Sequence, residues 1–257
     1  MFHLKTPVLN ASKNSKIKFK KLSKRQCKKF NYTRVKEKEQ FTAFHKFVNE
    51  VKVLLGLNED FVTDLHHLNV CAIATLLAIV NQLNQKVAHV AGILHDIAKY
   101  KDYFQALVSF KGTFTPEMRK QMAGHAKDSA EMVRSMKWII RIFFRLTAEE
   151  FEWVVFLIEN HHIRDNAEVE AMDIPEELKK LLAVMIISDV YDAVRASRSY
   201  KVGFSVADTF VEMHEKDENR KPTKRFDKQF NPSLFKQLKN LMLVLDKEEV
   251  TAKKANA

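Results

Sequence analysis

The sequence predicts an all-α fold, and three observations carry that expectation. Glycine and proline are scarce, with five of each in 257 residues, so the turn chemistry that many short strands need is missing. The apolar residues are mostly Leu, Ala, Phe, Ile, Val and Met, which favours long helices with short connections. They recur at helical spacing, and no segment reads with assurance as a strand.

The elements follow in order. Residues 1–40 hold thirteen Lys/Arg against two Glu, whereas residues 41–257 hold thirty of each sign, so the net charge of +11 belongs to the first forty residues. Like charge this dense opposes a lone helix and predicts a disordered basic tail. A helical domain is expected over residues 41–245 and a frayed end over 246–257. Within the domain, helices are predicted from Phe41, over Phe61–Leu83 and over Lys86–Phe104, followed by a loop at "SFKGTF" (109–114). Thr115-Pro116-Glu117 has the order of an N-cap, a first-turn proline and an early acid, opening a helix through His125 to about Ser135. "MKWIIRIFFRL" (136–146) follows, and Thr147 with Glu150 forms a capping box that starts a helix toward His161. After a polar stretch, Ile174-Pro175 precedes a long helix through "LLAVMIISDVYDAV" (181–194), with two more from about Ser205 and Pro232.

Composition also excludes function classes. The longest apolar run, "LNVCAIATLLAIV" (68–80), has thirteen residues, short of the roughly twenty that cross a bilayer. The amino terminus lacks the apolar core of a secretory signal. Cys27 and Cys71 make neither a CxxC nor a zinc spacing, which fits a reducing cytoplasm. A cytoplasmic, soluble protein is the expectation.

"GILHDIAKYK" (92–101) closes an apolar run with His95 beside Asp96 and Lys99 one turn on. Alone, that pair proves nothing. Other candidates recur in succession: His66, His95-Asp96, His125, His161-His162 and Asp189, each 27 to 36 residues from the next. One helix and its turn have about that length, so a bundle would return each to one level of its core. Imidazoles with carboxylates suit Fe, Mn or Zn, and a carboxylate bridging two cations would let them share a water. Singly, His125 reads as a surface histidine and His161-His162 as cations at a helix end. Asp189 is harder to place so, because a carboxylate in an apolar helix is costly without a partner. Jointly the metal reading wins.

At these positions the chain resembles the HD-GYP family, the phosphodiesterase branch of the HD metal-dependent phosphohydrolases. "HDIAK" (95–99) stands where that family has HDIGK, and "HHLNVCAIATLLA" (66–78) is similar to its opening H-S-x-x-V-A helix. "GTFTPEMRKQMAGHAKDSAEMV" (112–133) resembles its G-x-L-T-x-x-E…H-x-x-x-G segment, with Ser129 in place of the last glycine. "ENHH" (159–162) matches its paired histidines. "IISDVYDAVRASRSYK" (186–201) is the most specific match, and "QFNPSLFKQL" (229–238) resembles its F-D-P helix.

The resemblance implies a helical bundle around a dinuclear centre of iron or manganese. His66, His95, Asp96 and Asp189 would hold one ion, and Asp96, His125, His161 and His162 the other, with Asp96 as bridge. Lys99, at i+4 from His95 and expected on the same helix face, would assist the leaving oxygen. Arg198 and Lys201 would hold substrate phosphate, and Asp192 would be structural support. The implied reaction is hydrolysis of a cyclic dinucleotide, above all cyclic di-GMP, to the linear dinucleotide.

Departures bear on the substrate. "HHIRDNAEVEAMDIPEEL" (161–178) contains no G-Y-P, and Ile163 replaces the usual Glu. Val62 stands where some members carry a Glu for a third metal, so two metals are expected. Another nucleotide as substrate, and a binding module without turnover, are the competing readings. The basic tail would favour nucleic acid or anionic membrane through counterion release. A homodimer stands among the expected partners without a sequence signal of its own.

Overall fold

The computed structural model describes residues 66–110, 112–196, 203–214 and 229–255. The chain divides into two compact units, Met1–Val51 and Lys52–Ala257, and the described residues all belong to the second. The basic tail, the helix expected from Phe41, Val62, Arg198 and Lys201 lie outside the described residues.

The fold is all-α, and the described residues include no strand. Helices α1 (His66–Val80) and α2 (Gln85–Leu94) form a hairpin. Gln82, with φ of 58°, turns the chain, and the Asn84 side chain caps α2 by accepting from Lys86 and Val87 N–H. The two helices approach closely at Gly92, where a Cβ would fall 2.6 Å from Cys71 Cα. That approach fixes the register of the hairpin and so the relation of His66 to His95.

The sequence predicts one helix over Lys86–Phe104, and the structure breaks it. After Leu94 the chain turns through His95 and Asp96 into a 3-10 turn, Ile97–Tyr100, before α3 (Asp102–Val108). Asp96 has φ −108° and ψ 13°, the sparsely populated bridge region, and the Ala98 N–H donates to Ser129 Oγ at 3.0 Å. The break is therefore tertiary in origin. It also gives Ser129 a function: it accepts the N–H of Ala98, a bond that a glycine side chain could not make.

The helix expected from Pro116 to Ser135 is likewise two, α4 (Pro116–Ala123) and α5 (His125–Ser135), meeting at Gly124. Thr115 caps α4 as its sequence implies, accepting from Met118 N–H. Helix α6 (Lys137–Phe144) leads to α7 (Ala148–Asn160), whose capping box pairs Thr147 and Glu150 reciprocally. The polar stretch after His162 holds a short helix, α8 (Asn166–Ala171), capped by Asp165.

Helix α9 (Glu176–Arg195) packs against α1, α2, α7, α8 and the last two helices, α10 (Val206–His214) and α11 (Pro232–Ala255). Its Leu181, Leu182, Met185 and Ile187 are wholly buried. Each such side chain contributes roughly 1.5–3 kcal/mol by leaving water, which anchors α9 as the axis on which Asp189 is carried. Helical backbone in α11 continues through Ala255, past residue 246 where fraying is expected. No helix among the described residues is long and apolar enough to cross a membrane.

Candidate metal centre

Seven side chains from five places in the chain converge. His66 heads α1, His95 and Asp96 follow α2, His125 heads α5, His161 and His162 follow α7, and Asp189 lies within α9. All are buried except His162, which is exposed. They form two groups within metal-ligand reach, His66 with His95 and Asp96, and His125 with His161 and His162. Every expected ligand is thus brought to one locus.

The ring orientations follow from local backbone. His95 Nδ1 donates to the Gly92 carbonyl at 2.9 Å and His161 Nδ1 to the Ile158 carbonyl at 2.6 Å, and His125 Nδ1 donates to the Met122 carbonyl. In each case the acceptor is the carbonyl three residues back, left over where a helix ends or turns. His66 uses a carboxylate instead: its Nδ1 lies 2.7 Å from Asp192 Oδ2. Four rings are so held with Nε2 turned inward, the orientation a metal requires. The buried Nε2 atoms of His95 and His161 have no hydrogen-bond partner among the described residues. Leaving such an atom unsatisfied costs about 1–3 kcal/mol each, and a cation would satisfy both.

Asp96 sits between the groups with one oxygen toward each. Its Oδ2 lies 3.7 Å from His66 Nε2 and 3.4 Å from His95 Nε2, while its Oδ1 lies 3.0 Å from His125 Nε2. Asp189 Oδ1 faces His66 Nε2 at 2.9 Å and His95 Nε2 at 3.7 Å. On the far side His162 Nε2 and His125 Nε2 approach to 2.9 Å, a contact that one shared proton or one shared cation reconciles. Imidazoles with carboxylates are a donor set that fits divalent transition-metal ions.

Charge divides the site. Burial opposes protonation of His66, but the hydrogen bonds of Asp189 and Asp192 and the nearby carboxylate charges outweigh it and lift the ring to about 9. Burial likewise opposes His95, and Asp96 with Asp189 carries it to about 10. Asp96 and Asp189 are held well below the usual carboxylate range: burial resists their ionisation, and the neighbouring imidazolium charges overcome it, with Lys99 helping at Asp96. By contrast burial, reinforced by neighbouring rings, drives His161 well down, and loss of water around the ring face packed on His125 and His161 takes His162, exposed at its other edge, down to about 4. Protons on His66 and His95 stand where divalent charge would otherwise balance the carboxylates.

Lys99 is displaced from its expected place. It lies in the 3-10 turn rather than on a helix face with His95, and its ammonium meets Asp96 Oδ2 at 2.6 Å. The sequence pattern missed two contacts here. Ser129 holds the backbone of that turn, and Gln229 donates to the Ile163 carbonyl at 3.3 Å, just past the histidine pair. Neither residue type carries a signal for such a role.

Residues 63–196 match the family model described as HD domain. The cyclic di-GMP phosphodiesterase PA4108 of Pseudomonas aeruginosa is 27% identical over 162 residues, which cover 61% of this chain and 36% of that protein. The chain thus spans about a third of the length of that relative. Among solved structures, the crystal structure of the L. monocytogenes phosphodiesterase PgpH HD domain aligns with 72% of this chain and 91% of that one, at 19% identity and a TM-score of 0.44.

Proposed function

The chain belongs to the HD domain family, and we propose on that footing that it is a metal-dependent phosphohydrolase cleaving a cyclic dinucleotide, foremost cyclic di-GMP, to the linear form. The observation that carries the reading is Asp96, with Oδ2 toward His66 and His95 and Oδ1 toward His125. His66, His95, Asp96 and Asp189 would hold one divalent ion, and Asp96, His125, His161 and His162 a second, with iron or manganese suited to the donors. Bound there, the ions supply Lewis acidity toward water and toward phosphate oxygens.

The chain's own residues do the rest. Asp96 ties the two ligand groups into one unit and carries no proton, since its carboxyl is held well below the usual range by the His95 and Lys99 charges, against burial. Backbone carbonyls of Gly92, Met122 and Ile158 keep three rings aimed inward, so little reorganisation accompanies reaction. Lys99, a quarter exposed at its side chain, can swing from Asp96 to the departing 3′ oxygen and neutralise it. Arg198 would grip a phosphate as a fork and Lys201 as a point charge.

A second reading changes the substrate alone. The stretch after His162 carries Ile163 and folds partly as α8, with no G-Y-P, which favours a different nucleotide in the same chemistry. The likeness to a cyclic di-GMP phosphodiesterase of Pseudomonas aeruginosa supports cyclic di-GMP. The deciding experiment is metal analysis of anaerobically purified protein, with product chromatography on cyclic di-GMP, cyclic di-AMP and simple nucleotides. Linear dinucleotide from cyclic di-GMP supports the proposal, and turnover of another member alone supports the second reading. Bound metal without turnover of any phosphodiester points to a binding module. A cytoplasmic location fits a nucleotide substrate.

A further inference from the structure

Helix α6 carries two apolar faces, and only one of them enters the core. Ile140 is fully buried, with Met136 and Leu146 at the flanks. Trp138, Ile139 and Ile142 point the other way, 73%, 46% and 75% exposed. Positions 138 and 142 stand one above the other on the helix, with 139 beside them, so the three form one stripe. A tryptophan and two isoleucines grouped on one short helix are more than the scattered apolar residues of an ordinary surface.

The border of that stripe is cationic. From Met132 to Ala148 the chain holds Arg134, Lys137, Arg141 and Arg145 and no acid. Positions 137, 141 and 145 follow one another at i, i+4 and i+8, alongside the stripe. Arg134 and Lys137 pair with Glu159 and Glu152, while the Arg141 guanidinium lies 5.9 Å over the Trp138 ring. Arg145 is exposed and ends the helix with φ of 53°, a left-handed position where glycine or asparagine is usual. Keeping arginine there costs backbone energy, which a role for its charge would explain.

From this we infer that α6 is an interfacial helix that docks on an anionic lipid surface, inserting Trp138, Ile139 and Ile142 beneath the headgroups with Arg141 and Arg145 among the phosphates. An apolar stripe with an aromatic residue, edged by arginines, is the pattern of a helix lying in the bilayer interface. A second copy is the poorer occupant. A two-fold contact would set the Arg141 and Arg145 of each chain against like charge. A nucleic acid offers the isoleucines nothing.

The position of α6 suits such docking. It joins the far ends of α5 and α7, whereas His125 begins α5 and His161 follows α7. Eleven residues of α5 place roughly 16 Å between the stripe and the metal centre, so the centre would stay in water while the protein is bound.

The test uses the full chain with vesicles of phosphatidylcholine alone and of phosphatidylcholine with phosphatidylglycerol. Binding is expected only with the anionic lipid, with a blue shift of tryptophan emission that vanishes in Trp138→Ser. Ile142→Glu and Trp138→Ser should each weaken partitioning by about tenfold, since each removes a large inserted apolar side chain. Melting temperature and metal content should hold, because both positions face solvent. Equal partitioning of wild type and both variants would overturn the inference and assign adsorption to the basic tail. A change of molecular mass by light scattering in the variants, without lipid, would overturn it in favour of a protein interface.

Discussion

On one side of Asp96, His66 and His95 lie among three carboxylates, Asp96, Asp189 and Asp192, and their rings are pushed up to about 9 and about 10. On the other side, one carboxylate oxygen, Asp96 Oδ1, meets the group at His125, and loss of water around the rings drives His161 and His162 down. The first side is charged and closed, the second has fewer carboxylates and reaches solvent at His162. For a cation the two are unequal hosts. The carboxylate-rich side offers charge and should fill first, while the imidazole side offers ring nitrogens and an edge open to a substrate.

The largest effect is expected where the two sides meet. Asp96→Ala removes an oxygen from each, so both ions should be lost and turnover should fall to background while helical circular dichroism stays near wild type. Full metal loading with near-normal turnover in this variant would break the two-ion reading.

Smaller changes should separate the sides. Asp192 holds His66 through Nδ1 and touches nothing on the imidazole side in the described contacts. Asp192→Asn keeps the shape but withdraws the charge behind the ring, so affinity for the first ion should fall about 10- to 100-fold, with the second little changed. His162→Ala should do the reverse, leaving one tight ion and removing the weaker. Stepwise manganese titration by calorimetry reads both, and equal losses at both steps in either variant would show that the sides do not act separately.

Much of the fold and of the candidate site is local and therefore legible in sequence. Ligand order, the Thr115 and Thr147 caps and the long helix carrying Asp189 depend on spacing and on side chains within a few residues of each other. What stayed hidden depends on partners far along the chain. "QKVAHVAGILHDIAKYKDYF" keeps a helical pattern throughout, and the break after Leu94 comes from Ser129, thirty-one residues beyond Ala98. Lys99 moved with that break, from the face expected beside His95 to the carboxylate of Asp96. The unequal charge of the two sides was also hidden, because it follows from which carboxylates the fold sets against which rings.

pH should expose that inequality in metal-free protein. His66 and His95 bind protons more tightly folded than unfolded, so their stabilisation is complete below about pH 6.5 and fades as pH rises through about 9 and about 10. His162, and His89 in the α1–α2 hairpin, are lowered to about 4 by burial, so stability also falls as pH drops from 6.5 toward 4. Below that, the depressed carboxylates Asp96 and Asp189 take up protons and weaken it further. Metal-free melting temperature should therefore peak near pH 6.5. Manganese should displace the protons on the carboxylate-rich side and flatten the alkaline limb. An alkaline limb unchanged by metal would remove the proposed exchange of protons for cations.

The smallest effect on either side is expected from residues 1–40. Their excess of eleven positive charges lies wholly before the family match, which begins at residue 63, and before His66, the first of the proposed ligands. A chain lacking them should load both ions in the same order and with the same affinities, and should turn over substrate at nearly the full rate. It should lose the part of its adsorption to nucleic acid or anionic vesicles that fades with added salt, because that part comes from released counterions and screened charge. Any adsorption that survives truncation and resists salt would then belong to the Trp138 stripe. The measurement is one truncated protein carried through metal titration, turnover and a salt series of vesicle binding. If the truncated protein folded and loaded metal yet lost turnover, the basic segment would take part in the reaction, and the two sides of the site would have a third participant.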